Sequence, residues 1–341
     1  MGNFIVSSRA CLDQFISVRQ GETKFGERVE TVEQLDWEQS LSQSKAKFVV
    51  LGVPEDIGVR ANYGVGGTQT LWEPALKALL NVQNTTVLDG TKVMILGAFD
   101  FAEMMNKAEG MDITGLRELV GYIDEAVQKL VGKIIDVGKV PIVIGGGHNN
   151  AYPLLKAASI AKGGPVNCIN LDAHSDYRAM EGRHSGNGFR YAHREGYLER
   201  YAVVGLHENY NAQDIIEELT DDPNLHFSYY EDIFIREKLC FYEAVTAAQE
   251  HTEGKPLGIE LDMDCIENIL SSAVTPAGIS TIHARQYVNW CAKLAPVYLH
   301  LTEGAAKLND GRNSSTTAKL AAYLVTDFIK AYQNKRNGFF S

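Results

Sequence analysis

Seven short apolar runs with helical stretches between them constrain this chain's fold more than any other feature. They are KFVVLGV (47–53), KVMILG (92–97), VPIVIGG (140–146), VNCINLD (166–172), YAVVGL (201–206), PLGIELD (256–262) and PVYLHLT (296–302). Most are continuously apolar and rich in β-branched residues, the pattern of a strand buried on both faces. LHFSYYE (225–231) is a candidate eighth strand. In 115–137, Leu116, Leu119, Val120, Ile123, Val127, Leu130, Val131 and Ile134 recur in steps of three and four, one helical face. Residues 234–251, 281–295 and 315–333 follow the same rule. Strand alternating with helix predicts a parallel sheet covered by helices on both faces. Residues 1–45 are polar and mixed in charge, an expected N-terminal extension. Residues 46–341 are expected to form one domain, since no linker or repeat interrupts them. In such sheets ligands bind beyond the carboxyl ends of the strands.

Lys and Arg total 32 against 43 Asp and Glu, a net charge of −11. An acidic surface argues against nucleic acid or an anionic membrane as the main partner, and leaves a small molecule as the expected one. No apolar run approaches the ~20 residues that span a bilayer. The N-terminal MGNFIVSSRACLDQF has no basic segment leading into an apolar stretch, and Val6 breaks the myristoylation pattern. Five cysteines without CxxC spacing suit reduced thiols, so a cytoplasmic location is expected.

Three polar clusters follow three of the predicted strands. In IGGGHNN (144–150), His148 follows a glycine run that lacks the spacing of a phosphate loop. In NLDAHSDYR (170–178), Asp172, His174 and Asp176 alternate, which would put them on one face of a strand end. In IELDMDCIEN (259–268), Asp262 and Asp264 would share a face in the same way. Each cluster alone has an ordinary reading as a cap or a solvated strand end. Together they bring four aspartates and two histidines to one edge of the sheet. Carboxylates so crowded repel unless cations lie between them. Carboxylate and imidazole donors without thiolate favour Mn²⁺ over Zn²⁺ or Fe²⁺. Two such ions about 3.5–4 Å apart would make a shared water acidic enough to act at neutral pH.

GGGHNN, DAHSD and ELDMD resemble the three signature motifs of the ureohydrolase superfamily, which includes arginase, agmatinase and formimidoylglutamase. The resemblance covers residues 47 to 333. It implies an α/β three-layer sandwich with an eight-stranded parallel sheet, and two Mn²⁺ per subunit. One ion would be held by His148, Asp172, Asp176 and Asp262. The other would be held by His174, Asp172, Asp262 and Asp264, with Asp172 and Asp262 bridging. A homo-oligomer is a further expectation, as is a place in histidine catabolism for the formimidoylglutamase reading.

The loop DYRAMEGRHSGNGF (176–189) bears on substrate choice. Ser185 and Asn187 resemble the arginase residues that hold the amino-acid end of the substrate. Arginases carry Asn where this chain has Arg178, and a proton-shuttling His where it has Phe189. Both departures resemble formimidoylglutamase, as does EDIGVRANYGVGG (55–67). A guanidinium at Arg178 would clamp a substrate carboxylate in bidentate fashion. Its plain alternative is an ion pair with Glu181, and that of Phe189 is a place in the core. His184 and His193 are candidate replacements for the shuttle. Glu303, in HLTEGAA, matches the family carboxylate that holds guanidinium or formimino nitrogens; otherwise it is an acid at a helix N-terminus.

The expected reaction is attack on an amidine carbon by water activated at the metals. Glu303 would orient the cationic nitrogens and Asp176 would hold the nucleophile and relay its proton. With N-formimino-L-glutamate the products would be glutamate and formamide. Alternatives are hydrolysis of arginine, agmatine or a guanidino acid to urea, a non-catalytic homologue, and a single-zinc deacetylase on a related fold.

Overall fold

The computed structural model describes residues 3–32 and 36–334. The ends of the expected extension and domain, 1–2 and 335–341, lie outside these, as do 33–35. All seven apolar runs and the candidate eighth form strands: β2 (Phe48–Gly52), β3 (Val93–Asp100), β4 (Val140–Ile144), β5 (Val166–Leu171), β6 (Leu198–Leu206), β7 (Leu225–Tyr229), β8 (Leu257–Asp262) and β9 (Tyr298–Thr302). These eight pair in parallel, in the order β3-β2-β4-β9-β8-β5-β6-β7.

A ninth strand, β1 (Asn3–Val6), adds antiparallel to β3 at the edge, Ile5 opposite Ala98. It has only four residues, none fully buried, so no apolar run announces it. The segment after it is tied into the core, where Leu12, Phe25 and Val29 are buried.

The strands are largely apolar because both sheet faces are covered. Phe48, Val50, Ile142 and Ile144 pack under the Trp72–Leu80, Thr281–Ala292 and Thr317–Asn334 helices. The alternate residues Val49, Leu51 and Val143 pack under Ile113–Asp136 and Ala151–Lys162. Among the described residues no helix is long and apolar enough to cross a membrane.

The chain runs outward from β5 through β6 to β7 and inward from β8 to β9, which lie between β4 and β5, so the connections leaving the neighbours β8 and β5 diverge. That is a topological switch point, where loops leaving adjacent strands diverge and open a crevice. The loops bearing His148, Asp172, Asp262 and Glu303 leave β4, β5, β8 and β9, four adjacent strands.

Candidate metal centre

His148 reaches the centre through a strained turn. Gly145 and Gly146 take φ of 91° and 78°, and a Cβ on Gly146 would lie 2.5 Å from Asn150 Nδ2. The turn is buckled to β9: Glu303 N and Thr302 Oγ1 donate to Gly146 O at 3.0 and 2.8 Å. In return, His148 N donates to Glu303 Oε1 at 2.8 Å. Glu55, fully buried, fastens the other side by accepting from Gly147 N (2.9 Å), Asn150 Nδ2 (2.8 Å) and Asn149 Nδ2 (3.2 Å).

The two aspartate motifs converge by a different route from strand alternation. β5 ends at Leu171 and β8 at Asp262, so His174, Asp176 and Asp264 lie beyond the strands. Each loop folds on its first aspartate. Asp172 Oδ1 accepts from His174 N, and Asp262 Oδ1 accepts from Asp264 N, both at 2.7 Å. Asp262 thereby caps a short 3₁₀ turn, Met263–Cys265. Asp176 turns back with φ 47°, a left-handed conformation that non-glycine residues adopt at a cost.

The result is one buried constellation. His148 Nδ1 faces Asp176 Oδ2 at 2.8 Å, Asp262 Oδ2 at 3.2 Å and Asp172 Oδ2 at 3.3 Å. His174 Nδ1 faces Asp264 Oδ2 at 3.3 Å and the other oxygen of Asp172, Oδ1, at 3.5 Å. Donor atoms of His148, Asp172, Asp176 and Asp262 lie within 4.8 Å of one another, as do those of Asp172, His174 and Asp264. Asp172 thus touches both groups, whereas Asp262 joins only the first.

Both groups suit a divalent cation. His148 Nδ1 and Asp264 Oδ1 are buried with no hydrogen-bond partner among the described residues. Without a cation, protons must meet the charge. Burial raises Asp176 to about 6, with the Asp172 charge adding to it. It raises Glu303 to about 8, helped by Asp264, and lifts Asp262 well above the usual range. Burial opposes charging His148 and His174, yet the surrounding carboxylates raise both. Asp172 is lowered: burial acts against this, but the two histidines outweigh it.

These directions predict a pH-dependent effect of metal removal. The raised groups hold protons in the folded, metal-free chain that the unfolded chain has released above about pH 4 for carboxyls and about 6.5 for imidazoles. Their stabilisation is full below the unfolded values and lost as pH rises to the folded ones, by about 6 for Asp176 and by about 8 for Glu303, with the raised histidines falling over the same upper range. Asp172 has the opposite sign, but its contribution is lost only at strongly acid pH. Ion binding also tightens as ligands deprotonate. A chelator should therefore lower Tm, by the equivalent of about 2.7 kcal/mol for a site held at a hundredfold excess over Kd. The gap between loaded and stripped protein should widen from pH 6 to 8 by calorimetry. A gap that stays constant or narrows contradicts the assignment.

The centre forms the floor of a cleft of about 620 Å³, lined there by His174, Asp176, Asp262, Asp264 and Glu303. Arg178, Ser185 and Asn62 lie on its walls. Arg178 is half-exposed, its Nη1 donating to Asn62 Oδ1 at 3.1 Å and its Nη2 lying 3.5 Å from Glu181. The Glu181 pair is thus present, but loose and open to solvent.

Asn187 differs from expectation. Its Oδ1 accepts from Arg183 Nη1 and His184 N, and its Nδ2 donates to Ala179 O and Gly182 O. Every hydrogen-bonding site is used inside its own loop, and it does not line the cleft. Phe189 is core, stacked on Tyr201 at 4.2 Å and edge-on to His148 at 5.1 Å. His184 is buried, lowered to about 4 by burial and by Arg117 and Arg178, so it is neutral at working pH. His193 packs on the Tyr177 hydroxyl, away from the cleft. Neither lines the cleft.

Sequence reasoning missed Glu55, Glu260 and His300, all fully buried around His148. It also missed Tyr210, a cleft-wall residue whose ring stacks on His174 at 5.3 Å. A lone Glu or His inside an otherwise apolar strand was the available signal, because a buried polar group needs a partner.

A sequence model described as "Arginase family" matches residues 46–330. The human mitochondrial guanidino acid hydrolase is 26% identical over 261 residues, 73% of this chain and 71% of that protein. A Streptococcus pyogenes formimidoylglutamase is 28% identical over 184 residues, so the match spans about half of each chain, 51% and 53%. Among solved structures, Bacillus subtilis formimidoylglutamase superposes with TM-score 0.72 at 20% identity, covering 93% of this chain and 94% of that one. Trypanosoma cruzi formiminoglutamase with Mn²⁺ gives 0.71 at 21% identity, covering 91% and 98%. The parallel sheet, the polar loops at its switch point and the extent of the family match agree: the chain belongs to the arginase family.

Proposed function

We propose that this arginase-family hydrolase cleaves N-formimino-L-glutamate to glutamate and formamide at a dinuclear manganese centre. The observation that carries the substrate assignment is Arg178, a half-exposed guanidinium on the wall of the cleft whose floor holds the metal donors. The S. pyogenes relative is named for the same activity, and the T. cruzi neighbour was solved with Mn²⁺.

His148, Asp172, Asp176 and Asp262 would hold one ion, and Asp172, His174 and Asp264 the other, where the family resemblance adds Asp262. When bound, such ions act as Lewis acids and bring the pKa of water toward neutrality. Asp176 lies on the cleft floor, where its carboxylate accepts a proton from the attacking water and returns it to the departing nitrogen. Glu303, held in place by His148 N, accepts N–H bonds from the amidinium. Oxygen adds to the formimino carbon, the bond to the glutamate nitrogen breaks, and that nitrogen leaves as an amine. Ser185, on the same wall as Arg178, offers a hydroxyl to the amino-acid end.

Arg178→Met tests this reading. A charge-assisted contact to a carboxylate is worth about 1.5–3 kcal/mol, so KM for formiminoglutamate should rise roughly ten- to a hundredfold. The contact is alike in ground and transition states, so kcat should hold. Agmatine, which has no carboxylate, should be little affected. Equal losses on both substrates, or a loss in kcat alone, would make Arg178 structural. The second reading, a guanidino acid hydrolase releasing urea, is favoured by the human relative, which matches over more of both chains.

A further inference from the structure

Glu260 and His300 take no part in the chemistry above. They are register partners on β8 and β9, and both are completely buried. Tyr298 Oη donates to Glu260 Oε1 at 2.8 Å, and His300 Nδ1 lies 2.6 Å from Glu260 Oε2. The same Oε2 lies 3.4 Å from His148 Nε2, an ion-pair distance, and Nε2 makes no hydrogen bond among the described residues, so Glu260 is the carboxylate that faces it. The ion pairs of Glu260 among those residues are with imidazoles alone, without Lys or Arg. A carboxylate in such a place is costly against an apolar residue of similar size.

Building on the metal-centre reading, we propose that Glu260, oriented by His300 and Tyr298, is a positioning residue that fixes the His148 ring with Nδ1 bare toward the ion. A neutral imidazole offers one lone pair, and the nitrogen that keeps its proton is set by what accepts from it. A carboxylate behind Nε2 selects the tautomer whose free lone pair is on Nδ1, the atom facing Asp176, Asp262 and Asp172. It also makes the ring a stronger donor to a cation. Among the described residues His174 has no equivalent: its carboxylate contacts are both through Nδ1, on the metal side, and its ring is braced by Tyr210. The effect therefore falls on one ion of the two.

The test strips the full-length chain with chelator and titrates it with MnCl₂ against a chromophoric competitor. Wild type should take up two equivalents. In Glu260→Gln one equivalent should weaken ten- to a hundredfold, the usual scale for partners of a metal ligand, and the other should not change. His300→Leu should behave likewise. His300→Asn, whose amide nitrogen replaces the Nδ1 donor, should stay within a few-fold of wild type. If Glu260→Gln does not fold, the two His300 variants decide. Unchanged affinities in Glu260→Gln and His300→Leu overturn the proposal. So does equal weakening at both sites, which would mean general loosening. A third wild-type equivalent lost in Glu260→Gln would mean that His148, Glu260 and His300 themselves hold an ion, and would overturn it too. Those outcomes leave the dinuclear centre standing; a wild-type chain that fails to bind two equivalents overturns the centre and this proposal together.

Discussion

Asp172→Ala is expected to abolish turnover and to cost the protein both metal ions. Asp172 is the residue whose two oxygens face the two histidines separately, Oδ2 toward His148 and Oδ1 toward His174. Its loss also removes the acceptor of the His174 backbone N–H, so the loop that aims His174 opens. Without the ions, water returns toward its bulk pKa of about 15.7 from about 7, a penalty on the order of 10⁴-fold or more in rate. Asp262→Ala should be nearly as severe, since Asp262 both faces His148 and caps the turn that presents Asp264. Elemental analysis of the purified variants beside a steady-state assay checks this. Turnover near wild type with two ions bound in either variant would remove the ligand assignment. His174→Ala is the useful contrast, because it should lose only one equivalent.

Glu303→Gln should leave the ions in place and still cost about 3–4 kcal/mol in kcat/KM, on the order of 10²- to 10³-fold. That is the scale for removing one partner from a desolvated charge pair, here the carboxylate and the substrate amidinium. The amide oxygen can still accept from His148 N, so the turn at His148 should persist. The backbone carries its own evidence that this side chain is placed for use. Glu303 sits at φ 60° and Asp176 at φ 47°, both in the left-handed region, beside the same cleft. Such strain persists only where neighbouring structure over-determines it. Manganese content equal to wild type with a large loss of activity is the expected pair of results. Full activity would return Glu303 to a purely structural role.

The sheet was legible because its parallel strands, the edge strand β7 apart, are buried on both faces, so each left an apolar run in the sequence. β1 left none, being short and at an edge. The clustered aspartates and histidines were legible as residues but not as geometry. Alternation suggested a strand face, whereas the strands stop at Leu171 and Asp262 and backbone bonds to Asp172 and Asp262 fold the loops. Motif similarity placed Asn187 among substrate contacts, but the polar demands of its own loop consume it. Glu260 and His300 were hidden for the opposite reason. They sit inside GIELD and YLHLT, where hydrophobic neighbours drew the reading toward plain core, and only the register of β8 on β9 brings them together behind His148. Arg178 lay open to two readings, and the structure retains both: a weak Glu181 contact and a guanidinium on the cleft wall.

The central claim is hydrolysis of a formimino amino acid at a two-metal site. It is tested most directly by supplying manganese-loaded protein with N-formimino-L-glutamate, L-arginine, agmatine and a guanidino acid in parallel, and measuring formamide and urea separately. The account predicts formamide and glutamate in equal amounts from the first substrate, dependent on added manganese, with little urea from the others. Urea released efficiently from a guanidino acid, with no formamide from formiminoglutamate, would contradict it.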